Sequence, residues 1–329
     1  MTADGTVPRG AGPVTEVIRA AGDHVPGLLA RVEERLSALA AGHGRALAEH
    51  AGATIAAGGK RLRPLLVFLA AGDEDGEGVV RAATAIELVH SATLVHDDVL
   101  DGAALRRGVP TVVASAGRGA ATATGDLLFA RAFAELVRNG SAEQIRVLSD
   151  ASCALAEGEL LQRADSWDAA VPVERYLHRC ELKTARLFEA ACRLGAVEGE
   201  GDADGLGAFA RRIGLAFQLL DDVLDVSGPA SRTGKHRGTD LLDGTVTLPY
   251  ILARERDSEL AALDPRTVRD PERAEEICDR IEATGALDDA RRRALEIVDE
   301  AKTLLPFGLA PERRGVFELV ANGVVARYA

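Results

Sequence analysis

The pentapeptide DDVLD occurs twice in the chain, at 97–101 and at 221–225, and each copy ends a long apolar segment with helical periodicity. In a helix, the first and fifth residues of each copy project from one face. Three carboxylates so close together repel one another and lose solvation on burial, so a fold tolerates them where cations neutralise them. Two such clusters facing each other would suit Mg²⁺, which prefers oxygen ligands and is commonly shared with substrate phosphates. The doubled pentapeptide therefore predicts a metal-bridged diphosphate site in a helical protein.

Apolar positions recur at helical spacing along nearly the whole chain, which predicts an all-α fold, and period-two runs of β-branched residues are scarce. We expect a disordered N-terminal tail over 1–13 and a single all-α domain over 14–329, a large helical bundle with a central cavity. The loop over 228–245 is long enough to act as a lid. The predicted helices are one or two over 14–50, followed by 64–71, 79–101, 120–138, 142–163, 173–195, 206–227, 246–262, 271–285, 286–303 and 312–328.

The charge balance and the cysteines exclude several classes of protein. Lys and Arg total 39 and Asp and Glu total 51, and the resulting net charge of −12 argues against nucleic acid as the main partner. The four cysteines lack the CxxC spacing of zinc sites and fit a reduced compartment. The N-terminus has no apolar core of a signal peptide, and no apolar run approaches the length of a membrane span. We therefore expect a cytoplasmic protein without a membrane span.

Lysine is rare in this arginine-rich chain, and three of its four lysines fall in segments with other candidate site residues. GGKRLRP at 58–64 places Lys60 and two arginines before or at a helix start, where backbone N–H groups attract anions. Lys183 is followed by Thr184, and Lys235 lies in the lid-like loop. Each cation alone is more often surface charge. Together with the two acid clusters, they predict a site for a diphosphate head beside an apolar shaft for a hydrocarbon tail.

Seven motifs, in this order, resemble the trans-isoprenyl diphosphate synthases (polyprenyl synthetases) over about residues 55–250: GGKRLRP, IELVHSATLVHDDVLDGAALRRG, GDLLFARAF, GELLQ, KTARLFEA, FQLLDDVLDV and TGKHRGTDLLDGTVTLP. The C-terminal ANGVVARYA also resembles the last helix of that family. The resemblance implies an isoprenoid-synthase fold, usually homodimeric. It also implies a prenyltransferase that condenses an allylic diphosphate with isopentenyl diphosphate head to tail, by Mg²⁺-dependent ionisation, condensation and elimination.

The resemblance further implies roles for individual residues. Three Mg²⁺ would be bound by Asp97, Asp101 and Asp221, with Asp98 and Asp225 in support. The allylic diphosphate would be bound by Arg106, Lys183, Thr184, Gln218 and Lys235, and isopentenyl diphosphate by Lys60, Arg63, His90 and Arg107. Catalysis would depend on Asp97, Asp101, Lys183, Asp221 and Lys235. The chain departs from the commoner pattern at Thr245, where many members carry a second lysine, so one positive charge near the lid is missing.

The residues upstream of Asp97 bear on the length of the product. Short-chain members of the family carry bulky aromatic residues four or five positions upstream, where this chain has Thr93 and Ala92. Farther along the same stripe lie Val89 and Ile86, and the aromatic candidates for a floor of the pocket are Phe129 and Phe133. We therefore expect a product of C20 or longer.

Three alternatives differ from a long-chain synthase. A geranylgeranyl- or farnesyl-type short-chain synthase would share the whole site. Terpene cyclases usually replace the second DDxxD and lack GGKR, whereas both are present here. A non-catalytic subunit of a heteromeric synthase would tend to lose the aspartate motifs, which are intact.

Overall fold

The computed structural model describes residues 12–42, 45–56, 59, 61–106, 108–228 and 236–326, with the side chains of 45–48, 53 and 56 left aside. Almost all of the regular structure in these ranges is helical, and the prediction of an all-α fold is confirmed. The helices are α1 (Pro13–Ala20), α2 (Val25–Ala41), α3 (Arg45–Ala56), α4 (Leu62–Ala71), α5 (Glu77–Asp101), α6 (Val112–Val137), α7 (Ala142–Asp165), α8 (Val173–Cys180), a π-helix (Glu181–Ala185), α9 (Arg186–Glu198), α10 (Ala203–Ser227), α11 (Thr239–Leu242), α12 (Leu248–Arg254), α13 (Ser258–Ala262), a 3₁₀-helix (Pro265–Thr267), α14 (Pro271–Ala283), α15 (Ala286–Thr303) and α16 (Pro311–Ala326).

The two helices that carry the DDVLD copies, α5 and α10, lie in the core. Buried apolar residues form one continuous cluster that runs from Val17 in α1 to Val324 in α16. Helix α5 packs mainly on α6 and to a smaller extent on α4 and α9, and α10 packs mainly on α9 and α15. Helix α5 ends because Gly102 adopts a left-handed conformation with φ 62° and donates its N–H to the Asp98 carbonyl. That ending leaves the first aspartate cluster on the last turn of a buried helix.

One of the described helices, α5, is long and apolar enough to cross a membrane by length and composition, although the sequence suggested no run of that length. Inside the protein, 72% of its most apolar window is buried. Burial of this kind is what the core helix of a bundle shows, and length and composition alone are weak grounds for a span.

Several boundaries differ from the sequence prediction for identifiable reasons. The segment predicted as one helix over 246–262 is divided, because the Asp257 side chain accepts the N–H groups of Glu259 and Leu260 and starts α13. Helix α6 begins eight residues before the predicted start because Thr111 caps it, and it is kinked at Gly117. The predicted loop over 228–245 contains the short helix α11.

Two further elements were not predicted at all. Leu105–Arg106 and Val109–Pro110 form a small antiparallel pair, β1 and β2, directly after α5. The predicted helix over 173–195 is continuous as a whole but contains the π-helix Glu181–Ala185. The expected tail over 1–13 lies almost wholly outside the described residues, so the domain assignment stays a prediction.

Candidate active site

The middle aspartate of the first DDVLD is turned into the protein. Asp98 is only 5% exposed. Its Oδ1 accepts a hydrogen bond from Arg106 Nε at 2.8 Å and lies 2.7 Å from Arg106 Nη2 in an ion pair. Arg106 belongs to β1, so the small antiparallel pair presents this guanidinium to the end of α5. A carboxylate with so little contact with solvent is held by a cation of the same chain.

The last aspartate of this copy meets a different basic side chain. Asp101 Oδ1 accepts from Arg163 Nη2 at 2.5 Å, and Arg163 Nε donates to Glu159 Oε1 at 2.7 Å. The other oxygen of Glu159 accepts from the ammonium group of Lys183. Helix α7 thus contributes Arg163 and Glu159 between Asp101 and Lys183. The sequence prediction placed Lys183 near the aspartates, and the structure shows Glu159 between them.

The first aspartate, Asp97, is poorly compensated. Its pKa is raised from 3.8 to about 6, mainly because burial disfavours the charged form, and the neighbouring carboxylates of Glu159 and Asp101 add to the effect. Lys183 and Arg106 act in the opposite direction without cancelling it. An additional cation beside Asp97 would stabilise the charged form of its carboxyl group. A surplus of negative charge of this kind is typical of a metal site.

The second DDVLD has a similar division between outer and middle residues. Asp221 is exposed, whereas Asp222 is 6% exposed. Asp222 accepts from the Tyr176 hydroxyl at 2.6 Å and from Gln218 Nε2 at 2.7 Å. Asp225 Oδ2 accepts the Asp240 backbone N–H at 3.2 Å, which joins the end of α10 to α11.

The π-helix Glu181–Ala185 connects the two clusters. Lys183 reaches Glu159 beside the first copy, and the next residue, Thr184, donates to Gln218 Oε1 at 2.6 Å beside the second copy. Rare π-helical turns of this kind occur frequently at functional sites. The consecutive residues Lys183 and Thr184 therefore each bond to a neighbour of a different aspartate cluster.

An apolar cavity of about 450 Å³ opens beside the first cluster, between α5, α6 and α7. Asp97 and Lys183 lie at its polar end, and Thr93 and Phe129 are among its other walls, as are Leu155 and Leu160. Pockets for small molecules commonly enclose about 300–1,000 Å³ and are mostly apolar. Of the residues expected to line the pocket, Ala92, Val89 and Ile86 are fully buried in the core and do not line this cavity, and neither does Phe133.

Comparison with known proteins decides the family. The chain matches the polyprenyl synthetase family over residues 45–283. It belongs to that family. The chain is accordingly a prenyl diphosphate synthase, a transferase.

Individual relatives span several product names. Component 2 of heptaprenyl diphosphate synthase from Geobacillus stearothermophilus is 38% identical over 301 residues, which cover 89% of this chain and 93% of the relative. Geranylgeranyl diphosphate synthase from Methanosarcina mazei is 36% identical over 260 residues, covering 76% of this chain and 80% of the relative. The crystal structure of a polyprenyl synthase from Caulobacter crescentus, complexed with calcium and isoprenyl diphosphate, superposes with a TM-score of 0.88 at 35% identity, covering 98% of this chain and 100% of that one.

The substrate-binding residues expected of a polyprenyl synthetase are only partly placed. The Arg63 guanidinium lies over the Phe188 ring, 5.0 Å from its centroid, and His90 is half-buried in α5. The neighbouring Arg61 is engaged within the protein, since it pairs with Glu33 and with Glu87. Three further predicted residues, Lys60, Arg107 and Lys235, lie outside the described residues.

In this prenyl diphosphate synthase, the carboxylates suit Mg²⁺ by chemistry but are not assembled for it. Within the described ranges, no group of three His, Cys, Asp or Glu side chains is arranged to hold a metal ion. Asp98 and Asp101 are paired with arginine side chains, and Asp97 is a half-buried carboxylate whose raised pKa shows that its neighbouring cations do not offset its burial. The donor set therefore fits the cation by its chemistry, and the ion pair between Arg163 and Asp101 would have to open for Asp101 to bind it.

Sequence reasoning missed three residues around the site of this synthase. Glu159 lies in the GELLQ motif, which was noted but given no role, and Arg163 follows that motif directly. Tyr176 carries no sequence signal, because its contact with Asp222 joins residues 46 positions apart. Thr245 follows α11, and its N–H donates to the carbonyl of Asp240 in that helix at 2.8 Å.

Proposed function

We propose that this chain condenses an allylic diphosphate with isopentenyl diphosphate head to tail and releases a product of C20 or longer. The proposal depends on one observation, the apolar cavity that opens beside Asp97 and Lys183. A diphosphate held at the polar end leaves its hydrocarbon tail room between α5, α6 and α7. The related polyprenyl synthase that binds calcium and isoprenyl diphosphate supports a divalent cation and this class of substrate.

The carboxylates of Asp97, Asp101 and Asp221 would hold Mg²⁺, with Asp225 in support. When bound, the cation would stabilise charge on the departing diphosphate. Arg106, Lys183 and Thr184 would bind the same diphosphate, and Lys183 is well placed because its ammonium group already lies at the polar end of the cavity.

The protein's own residues would serve the reaction in three ways. Cationic side chains would orient the allylic diphosphate and stabilise the charge that develops as the carbon–oxygen bond breaks. Arg63, His90, Lys60 and Arg107 would place the double bond of isopentenyl diphosphate against the resulting carbocation. Apolar walls such as Leu155 and Phe129 would exclude water, which would otherwise capture the cation. Loss of a proton, with pyrophosphate as acceptor, would complete the new double bond.

Assembly and location are also proposals. Leu100 and Leu160 line the cavity yet are 46% and 72% exposed, so a second copy of the chain would have apolar surface to cover. We propose a homodimer on this ground. All four cysteines are unpaired thiols, which supports a reduced, cytoplasmic compartment.

The deciding experiment supplies the purified protein with Mg²⁺, isopentenyl diphosphate and, separately, dimethylallyl, geranyl, farnesyl or geranylgeranyl diphosphate. Mass spectrometry of the products is expected to show a ladder that ends at C20 or longer. A sole C15 product would contradict the proposed length. Cyclic hydrocarbons would indicate a cyclase, and absence of elongation by folded protein would indicate a subunit that requires a partner, as the name of the Geobacillus relative suggests for that protein.

A matched pair of variants tests the role of the cavity. Thr93→Phe adds an aromatic ring to a cavity wall and is expected to shorten the main product by at least one isoprene unit. Val137→Phe adds the same ring on an exposed position of α6 and is expected to leave the product unchanged. Equal product profiles from wild type and Thr93→Phe would show that the tail lies elsewhere.

A further inference from the structure

We infer that Tyr176 is a positioning residue of this site, which acts through Asp222 and Gln218 to fix Thr184 beside Lys183. The inference deepens the proposed function and rests on it, because Thr184 and Lys183 are the residues proposed to bind the allylic diphosphate. It gives the middle aspartate of the second DDVLD the role of an anchor within the protein.

A chain of three short hydrogen bonds carries the inference. The Tyr176 hydroxyl donates to Asp222 Oδ2 at 2.6 Å, Gln218 Nε2 donates to Asp222 Oδ1 at 2.7 Å, and the Thr184 hydroxyl donates to Gln218 Oε1 at 2.6 Å. Tyr176 is fully buried, and Asp222 and Thr184 are 6% and 8% exposed. These bonds therefore connect α8 to α10 and α10 to the π-helix, away from solvent.

The carboxylate at the centre sets the direction of every bond in this chain. Both Asp222 oxygens accept, one from Tyr176 and one from Gln218, so Gln218 turns its NH₂ group toward Asp222 and its carbonyl oxygen toward Thr184. The Thr184 hydroxyl then has one favoured orientation, with its proton directed at Gln218. Tyr176 supplies the second donor to Asp222, which satisfies a buried carboxylate that has no cation within hydrogen-bonding distance of its oxygens in the described residues.

The π-helix Glu181–Ala185, which contains Thr184, packs closely against two glycines, one in each of two neighbouring helices. A β-carbon at Gly158 of α7 would lie 2.8 Å from the Lys183 backbone nitrogen, and one at Gly214 of α10 would lie 2.8 Å from the Ala185 Cα. Real β-carbons essentially never approach so closely, so both neighbouring helices need glycine there. The π-helix is thus fixed by close backbone packing against α7 and α10 and by the hydrogen bond from Thr184 to Gln218 of α10.

Removing the Tyr176 hydroxyl tests the inference with a minimal change. Tyr176→Phe keeps the ring and deletes one hydrogen bond to a buried carboxylate. The KM for the allylic diphosphate is expected to rise roughly tenfold, while the KM for isopentenyl diphosphate stays within about twofold of wild type. A merely structural role would lower the melting temperature and the fraction of active enzyme without this selective change in KM.

Tyr250→Phe is the matched control, because Tyr250 is equally buried but its hydroxyl has no hydrogen-bond partner among the described residues. This variant is expected to show wild-type values of both KM constants. Equal changes of the two KM values in Tyr176→Phe, or wild-type kinetics of the folded variant, would overturn the inference.

A double-mutant cycle locates the path from Tyr176 to the substrate. If Tyr176 acts through Thr184, the Tyr176→Phe change adds less than about twofold in a Thr184→Val background, whereas independent effects would multiply. Multiplying effects would overturn the proposed path. Failure of the proposed function has a separate signature, since the wild-type protein itself would then elongate no primer.

Discussion

The two DDVLD pentapeptides are identical in sequence but are held by different means. In both, the middle aspartate is buried and the two outer aspartates are more exposed. Asp98 is neutralised by the guanidinium of Arg106, which carries a full positive charge. Asp222 is held by a hydroxyl and an amide, from Tyr176 and Gln218.

The difference shows that a motif on a helix fixes the directions of its side chains but does not fix which groups offset their charge. Residues four apart share a helix face, so each outer pair points one way and the middle residue turns aside. The partner of the middle aspartate depends on which secondary-structure element packs beside it. That element is the hairpin β1–β2 for the first copy and helix α8 for the second. Burial raises the pKa of Asp222 against the hydrogen bonds from Tyr176 and Gln218, which lower it, whereas Asp98 has a charged partner.

The largest expected effect is a difference in kcat between variants of the outer aspartates and a variant of a middle aspartate. Asp97→Asn and Asp221→Asn are expected to lower kcat about 1,000-fold, because each removes a proposed ligand of the cation that stabilises the departing diphosphate. Asp98→Asn is expected to lower kcat only about tenfold, through misplacement of Arg106. Steady-state rates at saturating Mg²⁺ and substrates measure all three. A loss in Asp98→Asn as large as that in Asp97→Asn would remove the distinction between outer and middle aspartates.

The free energy of unfolding of the Mg²⁺-free protein should change in opposite directions for neighbouring aspartates. Asp97→Asn is expected to raise it by roughly 1–2 kcal/mol, because a poorly compensated, half-buried charge disappears. Asp98→Asn is expected to lower it by about 1–3 kcal/mol, because Arg106 loses its carboxylate partner. Urea unfolding in the presence of a metal chelator measures both. Destabilisation by both variants would show that Asp97 is well compensated without metal.

The pH dependence follows from the raised pKa of Asp97. Between the usual value of 3.8 and about 6, the folded protein binds more protons at this group than the unfolded chain does. Its contribution to stability therefore falls as pH rises through that window. The stability advantage of Asp97→Asn over wild type should grow from pH 4 to pH 7 and be small below pH 4.

Much of this comparison could be predicted from the sequence, and the remainder depends on contacts between distant residues. Helical periodicity indicated α5, α10 and the shared face of each outer pair, and the scarcity of lysine indicated Lys183. The hydrogen bond from Tyr176 to Asp222 and the ion pair from Arg163 to Asp101 have no such signal, because they join residues 46 and 62 positions apart. Local patterns also do not reveal a π-helix, since its residues are ordinary helix formers held by packing against Gly158 and Gly214.

The smallest effect concerns Arg163, which pairs with Asp101, whereas the corresponding Asp225 accepts a backbone N–H. Since Arg163 occupies a proposed metal ligand, Arg163→Ala is expected to lower the Mg²⁺ concentration that gives half of the full thermal stabilisation. Partly exposed ion pairs contribute about 0.2–1 kcal/mol, so the shift should be less than about fivefold. Arg146→Ala, on the same helix but paired with Glu143, should leave the Mg²⁺ titration unchanged. A higher Mg²⁺ requirement in Arg163→Ala would mean that Arg163 assists the metal-bound state and does not compete with it.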